Sequence, residues 1–237
     1  MKPMKSYRQE ATILAIGIII LGFKLNSAIT TFTDNTRTVV VKGLSEREVK
    51  ADKVIWSLKY KELGNDPNEM YNNFKQKNKE IVKFLTDAGV KEEEISINPP
   101  QISDRQADMY GNERVLYRYK ANSVIIVTSS EVEKIRGLIQ RQTDLMKLGI
   151  PIVSEEYGNG QARYEFTGLN DIKPDMIAEA TRNARTAANQ FAKDSDSRLG
   201  GIKRAVQGQF SIEDRDENTP FIKRIRVITN IEYYLKN

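Results

Sequence analysis

The sequence predicts an α+β fold: a mixed or antiparallel sheet with a β-α-β-β-α-β (ferredoxin-like) unit, followed by a third helix and two C-terminal strands. Three observations support this prediction. Several short runs alternate apolar and polar residues with a period of two, which is typical of half-buried strands. Two longer segments between them repeat apolar residues at helical spacing, and a third is rich in alanine. Residues 38–237 contain no internal repeat and no long linker, so we expect one domain there.

The N-terminal segment differs in composition from everything that follows it. Basic residues at Lys2, Lys5 and Arg8 precede the apolar run ATILAIGIIILGF at residues 11–23. A basic flank before such a run is typical of a signal sequence. Extended to residue 29, the run approaches the ~20 residues that span a bilayer as a helix.

The predicted boundaries are a basic cytoplasmic n-region at 1–10, a signal anchor or transmembrane segment at 11–29, a linker at 30–37 and a domain at 38–237. Such an anchor holds the domain in the periplasm at the inner membrane of a bacterial envelope, and makes the membrane a partner of residues 11–29. A cleaved signal peptide followed by secretion is the alternative, and a buried core helix is a third interpretation.

Composition excludes several kinds of chemistry. The chain has no Cys and no His, so disulfides, thiolate nucleophiles and Ser-His-Asp triads are impossible, and the commonest metal ligand is missing. The formal net charge is +5, but residues 1–37 hold five basic and two acidic residues, which leaves only +2 for residues 38–237. This weak excess argues against a nucleic-acid partner. We predict no enzyme activity and no catalytic, cofactor-binding or metal-ligating residue.

The predicted domain opens with two strands. Val39–Val41 begins the first, and the charged connector Ser45–Lys50 is interpreted as a solvated turn. The second strand is Lys53–Tyr60, whose alternation places Trp56 on the buried face.

A turn at Gly64–Pro67 then leads into the first helix. Asp66 is the predicted cap, Pro67 fits the first helical position and Gly89 ends the helix. The apolar stripe of this helix is predicted core: Met70, Phe74, Ile81, Leu85 and Ala88. A short strand with Ile95 and Ile97 follows, and because Pro99-Pro100 interrupts it, we expect an edge strand or a bulge.

A hairpin signal at Tyr110-Gly111-Asn112 precedes a long strand over residues 115–127. Ser130-x-x-Glu133 reads as a capping box that opens a second helix, which ends at Gly149. Its predicted buried residues are Val132, Ile135, Leu138, Ile139, Gln142, Leu145 and Met146. An extended segment begins at Ile150 and Ile152, and the alternation of Ala162, Tyr164 and Phe166, after Gly158-Asn159-Gly160, closes the ferredoxin-like unit.

The third helix is predicted to begin near Asp171, with Pro174 in its first turn, and to end at Gly200. Its alanines lie on several faces, which permits a close approach to a sheet. Two strands then close the chain, separated by an acidic loop at 213–220. The residues expected to share a face are Ile202, Val206, Phe210 and Ile212 in the first strand, and Ile225, Val227, Ile231, Tyr233 and Leu235 in the second.

Several constellations were weighed as sites and interpreted as solvated surface. The basic-aromatic strand Arg114–Lys120, with Arg163-Tyr164, has its tyrosines and its basic residues on opposite faces. Acidic pairs occur at helix ends and in loops: Glu92-Glu93-Glu94, Glu155-Glu156 and Asp214/Asp216. Asp194-Ser195-Asp196-Ser197 begins like a calcium loop but lacks the later ligands. A Ser–Lys dyad is not testable from sequence, and nothing points to one.

The opening motif and the order of elements resemble the SIMPL-domain (DUF541) family. The resemblance rests on TVVVKGLSEREVKADKVIW at 38–56, the capped helix at 67–88, DAGVKEEEISINPP at 87–100, the tyrosine-rich strand at 115–128 and the alanine-rich helix at 172–198. It therefore covers nearly all of residues 38–237, and the N-terminal segment resembles that of bacterial envelope members.

This resemblance implies no agreed reaction and no catalytic residues. Bacterial relatives are exported, in some cases linked to oxidative-stress defence, and are thought to self-assemble; the eukaryotic relative is named for association with a pelle-like kinase. Without Cys, thiol chemistry is excluded, so a stress role would be indirect. We expect a membrane-tethered structural or interaction module, forming a homo-oligomer. The alternative is a binding or enzymatic pocket for a small envelope metabolite.

Overall fold

The computed structural model describes residues 8–34, 37–107, 115–153 and 162–236. Its helices are α1 (Arg8–Asp34), α2 (Pro67–Asp87), α3 (Val132–Gln140), α4 (Asp144–Lys147) and α5 (Leu169–Asp194), with a 3₁₀ turn at Glu92–Glu94. Its strands are β1 (Thr38–Lys50), β2 (Lys53–Gly64), β3 (Ile95–Ile97), β4 (Gln101–Asp104), β5 (Tyr119–Ser129), β6 (Ala162–Glu165), β7 (Arg198–Gln207), β8 (Ser211–Asp214) and β9 (Ile222–Lys236).

The chain forms two compact units, neither of which is one continuous stretch. Unit 1 comprises Met1–Arg47, Ile172–Ser211 and Ile225–Asn237, and unit 2 comprises Glu48–Asp171 and Ile212–Arg224. Because the chain passes from unit 1 to unit 2 and back twice, no linker marks a boundary in the sequence. The expectation of one domain over 38–237 stays a prediction.

Unit 2 confirms the α+β fold and the ferredoxin-like order. Its sheet runs β3-β5-β2-β6, with β4 also paired to β5, and the pairings of β2 with β5 and β6, and of β5 with β3 and β4, are all antiparallel. The two central strands are thus the first and third of the predicted unit. Pro99-Pro100 separates β3 from β4 at the edge, as expected.

The predicted core of unit 2 is largely confirmed. Trp56 is fully buried on β2, and the carboxylate of Asp66 caps α2 by accepting the Asn68 N–H at 2.8 Å. Gly89 adopts φ 84° after the helix, a conformation that favours glycine. The side chains that α2 buries are Met70, Phe74, Ile81 and Leu85.

Two predictions about the second helix were wrong. Ser130 is not its cap: the helix starts at Val132 behind Glu131, whose N–H donates to the Ser129 hydroxyl at 3.0 Å. The helix also stops at Gln140 and restarts as α4. The intervening turn changes which side faces inward, so Met146 is 60% exposed while Leu145 is buried.

The long strand begins later than expected, at Tyr119 instead of residue 115. The backbone of Arg118 is engaged in loop contacts, accepting from the Arg105 N–H at 2.8 Å and donating to the Asn65 side chain at 2.8 Å. The hairpin signal at residues 110–112 and the glycine turn at 158–160 lie outside the described residues.

Unit 1 is a sheet with a helix on one face. Its strand order is β1-β9-β7. The Leu235 N–H donates to the Arg37 carbonyl at 2.9 Å and Arg226 pairs with Glu46 at 3.0 Å, so β1 and β9 run antiparallel. α5 buries a single stripe at i, i+4 spacing: Met176, Ala180, Ala184, Ala188 and Ala192. The predicted close approach to a sheet is made through this stripe alone, since Ala178 and Ala187 are exposed.

The interpretation of Ser45–Lys50 as a turn was wrong. β1 continues through Lys50 as one strand of 13 residues. Its inward positions include Gly43 and Ser45, small residues that are common in turns. They are used here because α5 packs closely against this strand.

The boundaries of the third helix also differ from the prediction. α5 begins at Leu169, which places Pro174 inside the helix, and it ends at Asp194. The chain reverses at Asp196, whose φ is 51°. Gly200 lies in β7 instead, where an added Cβ would sit 2.9 Å from the Tyr234 carbonyl oxygen.

β7 does not keep the alternation predicted for it. Register shifts against β9 occur between Leu199 and Ile202 and between Ile202 and Arg204. Each shift changes which face the following residues occupy, so Ile202 and Val206 lie on different faces. The core residues of β9 are confirmed as buried: Ile225, Val227, Ile231, Tyr233 and Leu235.

α1 is a helix of 27 residues that contains the whole of the predicted segment 11–29. Its apolar side chains from Ile13 to Leu25 are exposed. Within the ranges that the structure describes, no helix combines the length and the apolarity needed to cross a membrane.

Candidate functional site

The opening motif holds β1 against α5 through polar contacts. The Ser45 hydroxyl, only 1% exposed, donates to the Glu179 carboxylate at 2.9 Å. The Arg47 guanidinium reaches the same carboxylate oxygen at 3.4 Å. One helix carboxylate therefore joins two inward positions of the strand.

Gly43 lies at the closest approach of β1 and α5. A Cβ added there would sit 1.8 Å from the Ala180 carbonyl oxygen and 2.6 Å from the Ala184 backbone nitrogen. Beside it, the Asn183 side-chain amide donates to the Leu44 carbonyl at 2.8 Å. Only glycine permits this contact. We call the group Gly43, Ser45, Arg47, Glu179 and Asn183 the strand–helix latch.

Asp52 makes a second structural contact, within unit 2. Its carboxylate accepts the Thr167 N–H at 2.8 and 2.9 Å, the Thr167 hydroxyl at 3.1 Å and the Gly168 N–H at 3.0 Å. This ties the loop before β2 to the loop after β6. Two charged residues of the opening motif, Arg47 and Asp52, thus support the fold.

An open cleft of about 370 Å³ lies at the start of α3. It is lined by Lys50, Ala51, Ser130, Glu131, Val132, Glu133, Lys134 and Phe221. The Arg136 guanidinium lies 3.4 Å from the Phe221 ring centroid, and Tyr164 packs edge-on against the same ring at 6.1 Å. The aromatic part of the cleft is therefore held rigidly.

The charges around this cleft are mixed. Glu131 pairs with Lys134, and Glu133 pairs with Arg136 at 2.6 Å, while Lys50 projects from the end of β1 with no partner among the described residues. Ser130 and Lys50 line the same cleft, but no hydrogen bond joins them in the described structure. The arrangement suits weak binding of a small anion better than acid–base catalysis, which needs a positioned proton donor and acceptor.

The basic-aromatic residues singled out in the sequence are engaged in local pairs. Arg118 bonds Asp104 at 2.7 Å and lies 5.1 Å from the Tyr119 ring. The Arg118 hydrogen bond holds the pKa of Asp104 below its usual value. Arg163 pairs with Glu165 at 2.9 Å, and Arg114 lies outside the described residues.

The acidic pairs have structural partners as well. Burial works against ionisation of Glu94, but hydrogen bonds from Ser129 and from the Lys91 N–H hold its pKa below the ordinary value. The Thr219 hydroxyl, and then Arg215, lower the pKa of Asp216 to about 2. Asp214 pairs with Lys223, and Glu155-Glu156 falls outside the described ranges.

Asp194-Ser195-Asp196-Ser197 forms the end of α5 and the reversal that follows it. The Ser197 N–H donates to the Ala192 carbonyl at 2.8 Å, as in a helix C-terminal cap. Within the described part of the chain, no group of three acidic side chains is placed to hold a metal ion.

One family of known proteins matches most of this chain. The sequence model described as "SIMPL: Protein of unknown function (DUF541)" matches residues 39–222. The chain belongs to the SIMPL family. The matched region of this SIMPL protein starts in β1 and ends at the first residue of β9. A search of curated proteins finds no match to the chain.

Sequence reasoning identified the SIMPL family correctly but missed what its opening motif does. The signal was present, because the alternation of Val39 and Val41 continues through Gly43, Ser45 and Arg47. Small inward residues on a strand indicate a close neighbour. Their partners on α5 are more than 130 positions away along the chain, so no local pattern could name them.

Proposed function

We propose that this SIMPL protein is a non-enzymatic structural or interaction module of the bacterial cell envelope that assembles with further copies of itself. The observation that carries the proposal is the exposed edge formed by strand β7. This strand of ten residues lies at one end of the strand order β1-β9-β7, and all but two of its residues are exposed. An exposed strand edge offers unpaired backbone N–H and C=O groups to another strand.

The charges of β7 favour one mode of assembly. Arg198, Lys203 and Arg204 are its charged residues, and all are basic. Two copies of β7 placed side by side would bring like charges together, which is destabilising. Pairing of β7 with β1 of the next copy is favoured, because β1 carries Glu46 and Glu48 besides its basic residues Lys42, Arg47 and Lys50, so it does not oppose β7 with basic residues alone. Such a head-to-tail contact builds rings or filaments.

Placement in the envelope is part of the same proposal. It is supported by the basic residues before position 10 and by the exposed apolar side chains of α1. An uncleaved anchor at 11–29 requires ~20 apolar residues, whereas a cleaved signal peptide requires only about 7–15. The anchor would hold residues 38–237 in the periplasm and cleavage would lead to secretion, so either route exports these residues, and any role in oxidative-stress defence is indirect.

Crosslinking in intact cells followed by native mass measurement tests this proposal. We expect to find the chain in the envelope fraction, as a species with a mass greater than that of one copy. The mass of the single chain reveals whether the N-terminal segment is retained. Val206→Glu adds an acidic residue to the β7 edge, where it would meet Glu46 and Glu48 of the next copy, and should shift the assembly toward monomer. Ile228→Glu, the same type of change in the central strand β9, is the matched control. A chain that stays monomeric at high concentration, or is absent from the envelope, contradicts the proposal.

The cleft at α3 supports a second candidate, a binding site for a small anionic metabolite. Its volume of about 370 Å³ falls within the range of small-molecule sites, and Lys50 supplies a positive charge beside the Phe221 ring. Ligand-observed NMR with inorganic phosphate and acetate tests it. Lys50→Ala should weaken any binding about tenfold, as loss of one charge-assisted hydrogen bond does, while Lys75→Ala on α2 should not. Equal binding by both variants eliminates this candidate.

A further inference from the structure

Charge is distributed unequally between the two units. In unit 1, outside the N-terminal helix, the segments 37–47, 172–211 and 225–237 hold twelve basic and six acidic residues. Unit 2 holds 21 basic and 24 acidic residues. The near-neutral charge of residues 38–237 is therefore the sum of a strongly basic unit 1 and a slightly acidic unit 2. The sequence alone does not indicate this difference, because unit 1 is assembled from separated segments.

Much of this charge lies on the sheet face opposite α5, which we call the outer face. On β1 the residues from Val40 to Glu46 that point away from α5 alternate with the buried ones. Lys203 of β7 bonds Glu232 of β9 at 3.0 Å, and Arg204 of β7 is paired with Glu232 in the strand register, so both lie on the outer face beside Glu232. The face carries six basic residues and two acidic ones: Lys42, Arg198, Lys203, Arg204, Arg226 and Lys236, with Glu46 and Glu232.

Apolar side chains are interspersed among these charges. Val40 is 67% exposed, Leu44 40%, Val206 45% and Ile228 38%. Within unit 1, α5 covers the other side of the sheet, where it buries its stripe of alanines. The outer face thus presents basic residues and exposed aliphatic residues together.

We propose that the outer face of unit 1 docks on the surface of a bilayer rich in anionic phospholipid. Basic side chains near such a surface are attracted to the headgroups, and aliphatic side chains between them gain by leaving water at the headgroup boundary. A second copy apposed on the same face would meet like charges. A nucleic acid would gain nothing from the exposed aliphatic residues, because its single strands bind through aromatic stacking.

The position of α1 in the chain agrees with this orientation. Its last residue, Asp34, precedes Thr38 of β1 by four positions, a distance of at most ~14 Å for extended chain. If the N-terminal helix is held at the bilayer, the start of the outer face cannot be far from the headgroups. This step rests on the envelope placement proposed above.

The experiment uses the full chain reconstituted into vesicles of phosphatidylcholine alone or of phosphatidylcholine with one-third phosphatidylglycerol. Because the chain has no cysteine, Val40→Cys gives a single labelling site on the outer face for a polarity-sensitive dye. Asn189→Cys, at an exposed position on α5, is the matched control. We expect the emission of the label at residue 40 to shift to the blue, and to be quenched by lipid-borne quenchers, only in the vesicles that contain phosphatidylglycerol. Salt at 0.5 M should reverse both effects, because it screens the charges.

Charge variants make the test quantitative. Lys42→Gln with Arg204→Gln should lower the ratio of docked to undocked protein about 30-fold, since each basic residue near an anionic surface contributes about fivefold. Arg182→Gln with Arg185→Gln removes the same charge from the exposed side of α5 and should leave the ratio unchanged.

Three results would overturn the inference. The first is an emission wavelength of the label at residue 40 that is the same in both kinds of vesicle. The second is an emission shift that depends on protein density when no anionic lipid is present. The third is an emission shift that DNA produces in the absence of lipid. A chain found in the envelope whose label does not respond rejects this inference alone, whereas a chain absent from the envelope rejects the proposed function.

Discussion

Gly43 shows how one residue decides the spacing of two elements. An alanine there would place its Cβ 1.8 Å from the Ala180 carbonyl oxygen, so β1 and α5 would have to separate. Gly43→Ala should lower the free energy of unfolding by about 3 kcal/mol, at the upper end for an overpacked core. Urea unfolding followed by circular dichroism measures this. Gly201→Ala is the control, because nothing lies within 4 Å of a Cβ at Gly201. Equal midpoints for the two variants would show that α5 does not press on β1.

At the scale of elements, the packing of β1 depends on a contact with α5 that the sequence of the strand does not predict. Ser45 is buried and donates to the Glu179 carboxylate at 2.9 Å. A hydrogen bond to a charged group contributes about 2 kcal/mol, so Ser45→Ala should reduce the stability of unit 1 by about that amount. Thr186→Ala is a suitable control, because that hydroxyl is exposed and bonds only the Arg182 carbonyl of its own helix. If both variants melt at the wild-type temperature, the strand–helix latch contributes nothing.

Elements with a local signal were predicted well. The cap of α2 at Asp66 and the end of the helix at Gly89 depend only on neighbouring residues, so the local sequence was enough to predict them. The interruption of the second helix at Gln140 and the register shifts of β7 were missed, because each is set by packing against distant parts of the chain. Small residues were the main source of error. In Gly43, Ser45 and Gly200 the sequence resembles a turn or a helix end, whereas the structure uses them where backbones approach closely.

At the scale of the whole molecule, the ferredoxin-like order of unit 2 was predictable because its elements follow one another in the chain. Unit 1 was not, since its three segments are separated by stretches that belong to unit 2. The same interleaving explains why the net charge of residues 38–237 did not indicate a basic unit. Adding the charge along residues 38–237 averages a basic unit with an acidic one, and only the assignment of segments to units separates them. As to the site, the absence of catalytic residues in the sequence analysis stays a prediction, while the cleft could not be foreseen.

The strand order β1-β9-β7 also has a consequence for biosynthesis. The ribosome delivers β1 and β7 before β9, yet β9 is the ladder partner of both. Both strands must therefore wait until the 15-residue strand β9 has emerged. A nascent chain stalled before Ile222 exposes two unpaired strands of mostly β-forming sequence, which is the form that chaperones and proteases recognise.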